Sequence, residues 1–331
     1  MRKWETPTYS WLIGLTEKMH SEEQLVARIR AVFAAHGVQG EGEDGDAWPI
    51  DALLGTHITT DVVVEGVDFD RRLYPLRFAG HRALAQNLSD LYACDAEPVG
   101  FVWSLALPPD TSADDVADFA QGAAALAAAI GCPLLGGDLS STTGPFVCSI
   151  TAVGRTPGSA VTRRGARAGQ HLWLTRKVGA SAAGLRLLRG RDDAVTPFEP
   201  WRRALTPAQQ RAVRAHLEPS PFHGLESLAD HAVACIDVSD GLARDAWRLS
   251  RSSKVGLDLS ALADAVDTDA GATVEDALFG GEDWALLFCG PDGLPDPPGC
   301  VRVGRVVEVP GVWRHGEAVA DRGYEHFSAQ E

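Results

Sequence analysis

Two periodicities take turns along this chain, and their alternation constrains the fold more tightly than any single motif. Residues 57–67 (HITTDVVVEGV) are β-branched strand material with an acid in the middle. Ala83, Leu84, Asn87, Leu88 and Leu91 then recur at three and four residues, with Gln86 four before Asp90, as on a helix. A strand over 101–107 closed by Pro108-Pro109, an alanine-rich helix over 112–130, the run Leu134-Leu135 into Gly136-Gly137-Asp138 and a strand over 146–153 complete the first portion. Past Gly154 and Pro157 come a strand over 171–175, a small-residue helix over 181–188, a proline-containing bridge over 197–221, and a strand over 232–237. That strand meets Val238-Ser239-Asp240-Gly241-Leu242 and a helix; strands over 284–288 and 301–307 follow. Such alternation predicts two α/β domains meeting near residue 157.

Upstream, Ser21-Glu22-Glu23 ahead of Leu25, Val26, Ile29, Val32 and Phe33 predicts a capped helix start with acids in its first turn. Residues 1–20 read as an extension or a docking arm, 21–157 as an amino-terminal domain and 158–331 as a carboxy-terminal α/β domain.

Charge bears on partners. Thirty Lys and Arg against forty-five Asp and Glu leave a net −15 over 331 residues, the wrong sign for a protein that grips a nucleic-acid backbone. A 45% hydrophobic and 23% charged composition is ample for sizeable cores. No stretch approaches the roughly eighteen uncharged apolar residues of a membrane span. The amino end carries Arg2, Lys3, Glu5 and Glu17 with only a short Trp11-Leu12-Ile13 island, so no signal peptide is expected. The cysteines at 94, 132, 148, 235, 289 and 300 form no CxxC pair and read as reduced core thiols of a cytoplasmic protein.

The recurrent chemical feature is an aspartate at the end of an apolar element, beside hydroxyls or glycine: Thr59-Thr60-Asp61, Leu88-Ser89-Asp90, Gly136-Gly137-Asp138 and Asp237-Val238-Ser239-Asp240. Carboxylates gathered with hydroxyls suit a hard cation such as magnesium, which keeps several waters and shares substrate phosphates. Taken singly, Asp138 and Asp240 read equally well as helix caps. Asp61, an acid inside a strand that looks largely buried, needs a partner or a metal. GxxxxGK[ST], GxGxxG after a strand, GxSxG and HExxH are all missing, and the ten dispersed histidines read as structural or surface residues.

In this order, several segments resemble the thiamine-monophosphate kinases, in the superfamily that also holds aminoimidazole ribonucleotide synthetase, selenophosphate synthetase and the hydrogenase-maturation dehydratase. They are Thr59-Thr60-Asp61 leading to Val64-Glu65-Gly66-Val67, the string 83–91 (ALAQNLSDL), Gly136-Gly137-Asp138, Arg163-Arg164-Gly165-Ala166, Asp237-Val238-Ser239-Asp240-Gly241-Leu242 and Gly280-Gly281-Glu282-Asp283-Trp284. The resemblance implies a two-domain α/β (α+β) fold of the aminoimidazole ribonucleotide synthetase type, its amino-terminal sheets joining into a barrel across a homodimer. It implies transfer of the γ-phosphoryl group of ATP to thiamine monophosphate, giving thiamine diphosphate and ADP with the help of several magnesium ions. The family's metal ligands fall on Thr59, Thr60, Asp61, Asp90, Asp138, Asp237 and Asp240, and the catalytic weight on Asp90, Asp138 and Asp240. Nucleotide contacts fall on Gly137, Asp138, Arg163 and Ser239, and substrate contacts on Glu282 and Tyr324.

Three positions depart from the family pattern. Its first metal-binding aspartate is matched by Gly45, so that one ligand is missing or supplied by Asp44 or Asp46. Its substrate-contacting histidine after Glu-Gly-Val is Asp68 here, and Asp95 stands where the family has glycine. These changes are expected to bear on acceptor and rate more than on fold. They leave open a same-fold enzyme with another phosphorylated acceptor, or a non-catalytic relative that binds nucleotide or a thiamine ester. The implied chemistry is physically consistent. A phosphate monoester with a second pKa of about 6 is already ionised at neutral pH and needs no general base. What opposes the reaction is repulsion: two groups of charge −2 about 5 Å apart repel by roughly 13 kcal/mol at an effective dielectric of about 20. Cations held by acids relieve it, and Arg163 would add a fixed positive fork.

Overall fold

Strand-forming and helix-forming segments alternate in the computed structural model much as the periodicities predict; it describes residues 48–49, 55–191, 196–222, 224–290 and 296–326. The helix start expected near Ser21, the extension before it, and Asp44, Gly45 and Asp46 lie outside those residues. The first half comprises β1 (Trp48–Pro49), β2 (Thr56–Val64), α1 (Leu76–Ala93), β3 (Glu97–Leu107), α2 (Ala113–Ile130), β4 (Leu134–Ser141) and β5 (Val147–Arg155). Its five strands are ordered β1-β2-β5-β3-β4. Parallel strands need a long crossover, and α2 supplies it between β3 and β4, whereas β5 pairs antiparallel with both β2 and β3. Ser112 starts α2 with a reciprocal capping box to Asp115, and Gly131 ends it at φ 72°.

One face of this sheet is covered. Phe101, Leu105, Cys148, Ile150 and Ala152 pack with Leu84, Leu88 and Leu91 of α1 and Phe119 and Ala123 of α2. The two helices touch backbone to backbone: a Cβ added at Gly122 would lie 1.6 Å from the Arg77 carbonyl oxygen, and one at Gly80 1.9 Å from that of Phe119. The other face carries Val62 and Val102, exposed by 52% and 41%.

The second half holds β6 (His171–Leu174), α3 (Ala180–Arg189), α4 (Phe198–Ala204), α5 (Pro207–Leu217), β7 (Ala234–Asp237), α6 (Leu242–Ser253), β8 (Gly256–Asp258), α7 (Val274–Phe279), β9 (Leu286–Gly290), β10 (Val301–Val307), β11 (Gly311–Arg314) and β12 (Glu317–Ala318). Its seven-stranded sheet is ordered β12-β11-β8-β10-β6-β9-β7. Here both faces are covered: Leu172, Leu174, Ile236, Leu287 and Cys289 enter one cluster, while Trp173, Cys235, Leu286 and Phe288 enter another. Leu188, Phe198, Val213 and Leu217 join the core of the first sheet, so helices of the second half help to build the first.

Two segments differ from the sequence reading. The stretch over 197–221, read as a bridge, forms α4 and α5, because Pro197 and Pro207 sit at an N-cap and a first helical position, where a missing N–H costs nothing. The strand expected over 284–288 begins at Leu286, since Glu282 and Trp284 have φ values of 57° and 50° that no strand tolerates. All six cysteines are free thiols and five are buried; burial pushes Cys148 and Cys289 up to about 12. Among the described residues no helix is long and apolar enough to cross a membrane.

Candidate active site at the junction of the sheets

The period of a β-strand sorts the aspartate-bearing segments before any distance is measured. Thr59, Thr60 and Asp61 are consecutive on β2, so Thr59 and Asp61 share the helix-covered face and Thr60 points to the open one. Thr60 accordingly donates to the Ile150 carbonyl at 3.0 Å and lies 3.0 Å from the Thr151 hydroxyl. On the covered face, the Thr59 hydroxyl donates to Asp90 of α1 at 2.5 Å. One residue earlier, the buried Ser89 hydroxyl donates across to Asp237, at the end of β7, at 2.8 Å. The Asn87–Asp90 string is therefore the hinge pin between the sheets, facing an acid-bearing strand on either side.

After Asp237 the chain turns through Ser239 and Asp240. Both backbone N–H groups donate to the Asp245 carboxylate at 3.0 Å, and Arg248 bridges Asp240 at 2.7 Å and Asp245 at 2.9 Å. Burial, with the charge of Asp240 beside it, pushes the Asp245 carboxyl up to about 7. The Glu282 N–H donates to the Ser239 carbonyl at 2.7 Å, that of Trp284 to Val238 at 3.0 Å, and that of Tyr324 to Asp240 at 2.9 Å. Three segments distant in sequence thus meet by backbone bonding, with the Tyr324 side chain exposed. Asp283 turns inward to the start of α3, accepting from Gly179 at 2.8 Å and Ser181 at 3.4 Å, and burial pushes it up to about 7. Left-handed backbone at Gly281, Glu282 and Trp284 marks a strained loop of the kind found at binding sites.

Thr59, Asp90, Asp237, Ser239, Asp240, Glu282 and Tyr324 are brought together in this way, and the positive charge of Arg163 acts on Asp245 and Arg248 beside them. Gly137 and Asp138 are not. They lie on edge strand β4, and Asp61, Ile150, Trp103 and Gly137 form one row across four strands, so that three spacings of about 4.8 Å separate its ends by roughly 14 Å. Asp138, in the next row, faces the open side with Val62. The helix-cap alternative for these acids fails: Asp138 is inside a strand, and α6 begins at Gly241 with no side-chain cap.

Among the described residues no three His, Cys, Asp or Glu side chains converge as a metal cage. Magnesium does not require one, because it is commonly held by one or two carboxylates with waters and phosphate oxygens completing the shell. The paired carboxylates and hydroxyls at Thr59, Asp90, Ser89 and Asp237, with Asp240 nearby, fit such a donor set.

Residues 42–156 match the family described as AIR synthase related protein, N-terminal domain. The thiamine-monophosphate kinase of Mycobacterium tuberculosis is 36% identical over 282 residues, spanning 81% of this chain and 80% of that protein. The chain belongs to the thiamine-monophosphate kinase family. The fold agrees: AaThiL complexed with AMPPCP and TMP superposes with a TM-score of 0.77 at 29% identity, covering 92% of this chain and 97% of that one. The thiamine monophosphate kinase of Aquifex aeolicus gives 0.73 at 29%, covering 90% and 97%.

Two departures from the family pattern now have physical content. Asp95 has φ 59°, the left-handed region where glycine is the default and aspartate one of the few tolerated substitutes. Its carboxylate accepts from Leu228 N at 2.7 Å, Ala229 N at 3.2 Å and the Ser227 hydroxyl at 3.3 Å, so this residue fastens a turn of the second half to the end of α1. These bonds give Asp95 a part in the fold. The Asp68 carboxylate accepts from Val64 N at 2.8 Å and closes the turn after β2. Sequence reasoning missed Asp245, Arg248, Arg82 and His216. An acid in the first turn of a helix, as Asp245 is, was a usable signal; nothing in the sequence singles out His216.

Proposed function

We propose that this chain transfers the γ-phosphoryl group of ATP to the phosphate of thiamine monophosphate, forming thiamine diphosphate and ADP in one in-line step. The observation that carries the reading is the junction itself: Asp90 of α1, with Asp237 at the end of β7 and Asp240 in the turn after it, meet the Glu282 loop and Tyr324 where the family's nucleotide and acceptor contacts are expected. Magnesium, when bound, would neutralise the phosphate oxygens, with Asp90, Asp237 and Asp240 of this chain as its holders and Thr59 completing the donor set. The protein's own work is placement. Thr59 fixes the Asp90 carboxylate, Ser89 fixes Asp237, and Asp245 with Arg248 fixes the turn bearing Ser239 and Asp240. Ser239 and Arg163 are assigned to the nucleotide, Glu282 and Tyr324 to the acceptor, and no protein base is needed.

The remaining assignments, Thr60, Asp61, Gly137 and Asp138, lie along or across the first sheet, and Asp46 lies outside the described residues. A homodimer that closes two such sheets into a barrel is supported by the apolar residues on that sheet. Leu134, Leu135 and Leu139 of β4 are exposed by 47%, 61% and 65%, and an open edge strand is a template for pairing. A division into amino- and carboxy-terminal domains near residue 157, and a cytoplasmic location, belong to the same reading.

The purified chain with ATP, magnesium and thiamine monophosphate should yield thiamine diphosphate and ADP in equal amounts. Chelating the magnesium should stop the reaction. A product yield equal to that of a no-enzyme control across a range of magnesium concentrations would overturn the assignment.

A further inference from the structure

Glu282 is held by one buried group, Arg82, and flanked by a second, His216, outside the machinery described above. Arg82 of α1, 6% exposed, ion-pairs with Glu282 through Nη2, which also donates to the Asp68 carbonyl at 3.3 Å. Through Nη1 it donates to the Tyr74 hydroxyl at 2.9 Å and to His216 Nε2 at 2.6 Å. A guanidinium can only donate, so Nε2 of His216 must accept and the ring proton sits on Nδ1. That Nδ1 lies 3.0 Å from the Ser181 hydroxyl and 3.4 Å from the second oxygen of Glu282. Burial, reinforced by the positive charge of Arg82, holds the imidazole far below its ordinary range and therefore neutral. Tyr74, Arg82 and His216 are all nearly inaccessible, whereas the Glu282 side chain is 32% exposed. A rigid polar assembly drawn from α1, α3 and α5 ends in one carboxylate that reaches solvent beside the Asp240 turn.

Such an arrangement is costly as mere scaffolding. A buried guanidinium needs a counter-ion, and a well-packed apolar substitute would serve stability at least as well. Its single external product is an oriented carboxylate. A carboxylate repels the phosphate end of a thiamine ester and attracts the other end, which carries an amino group on the pyrimidine and a positive thiazolium. Arg82 holds one oxygen of Glu282, while the other, 3.4 Å from the neutral His216, keeps lone pairs that a ligand can use.

Building on the function proposed above, we infer that Arg82 and His216 are positioning residues which fix Glu282 as the acceptor-recognition group, contacting the amino or cationic part of the thiamine ester. Affinity for the acceptor, not the rate of phosphoryl transfer, is what this assembly sets.

Steady-state kinetics on the full chain test the idea, with thermal melting to verify folding. Glu282→Gln should raise KM for thiamine monophosphate about tenfold or more, while kcat and the KM for ATP stay within about threefold. His216→Leu and the milder Arg82→Lys should raise the same KM. In the Glu282→Gln background they should add almost nothing, because what they position is already gone. A purely structural role would instead lower kcat, affect ATP as well, and persist in that background. An unchanged acceptor KM in folded Glu282→Gln, or additive effects in the double variants, would overturn the inference. Should the wild-type chain form no thiamine diphosphate, the proposed function fails by itself. Calorimetric binding of thiamine monophosphate to wild type and Glu282→Gln then decides the inference separately: a tenfold loss supports it, and equal affinity refutes it.

Discussion

Strand β4 of the first sheet is exposed at every residue, whereas β7 and β9 of the second are buried at every residue. The second sheet is sandwiched between two apolar clusters; the first is covered on one face only. Acids follow the same division. Among the described residues every buried aspartate, namely 237, 245, 267, 276 and 283, lies in the second half, where each has backbone donors, a hydroxyl or an arginine to satisfy it. Asp61, Asp90 and Asp138 of the first half keep access to solvent. The contrast separates two uses of one side chain. Buried carboxylates such as Asp245 and Asp283 organise backbone, whereas Asp90 and Asp138 of the first half and Asp240 of the second stay within reach of solvent.

The largest effect that could break this division is on turnover. Asp90→Ala should lower kcat by at least about a hundredfold, the usual consequence of removing one charge-stabilising group from a reaction centre, with little change in melting temperature. Asp138→Ala is the sharper experiment, since Asp138 lies on the open face about three strands from Asp61. An equal loss of activity would mean that a second copy brings its own Asp138 to the site. Retained activity would confine the chemistry to the covered face.

Stability comes next in size. Phe288, fully buried in β9, should cost about 3–5 kcal/mol when changed to alanine, as large-to-small core substitutions do. Val62→Ala on the open face of the first sheet should fall within about 0.5 kcal/mol in denaturant melts of the isolated chain. If that face joins two copies, the same substitution should weaken the dimer in sedimentation experiments. A large folding cost for Val62→Ala would show that the open face is covered by the chain itself.

Much of this contrast was legible beforehand, and the reasons are local. Helix α2 announced itself by its alanine run, and the strand read over 146–153 lies within two residues of β5 at each end, because each is decided locally. The split of Thr59, Thr60 and Asp61 between two faces follows from the strand period alone, yet grouping them by motif concealed it. Helices α4 and α5 were obscured by Pro197 and Pro207, read as breaks when they are starts. Arg82, His216 and Glu282 could not be linked from sequence, since 134 and 200 residues separate Arg82 from its partners. The left-handed φ of Asp95 was foreshadowed by the family's glycine, but its grip on Ser227, Leu228 and Ala229 is tertiary.

The last contrast concerns how the two halves respond to pH. Burial holds the Asp283 carboxyl at about 7 in the folded chain, against about 3.9 when unfolded. Between those values the folded protein retains a proton that the unfolded chain has released, so stability declines as pH rises through this window and levels off above it. Asp245, also raised to about 7, contributes a slope of the same sign. Asp283→Asn should flatten the dependence, because an amide keeps an acceptor for the Gly179 N–H without a charge to desolvate. Denaturant melts between pH 4 and 8 read this directly. An unchanged slope in Asp283→Asn would place the cost of buried charge elsewhere, and would remove the argument that the second half stores carboxylates for structure at an energetic disadvantage that the first half avoids.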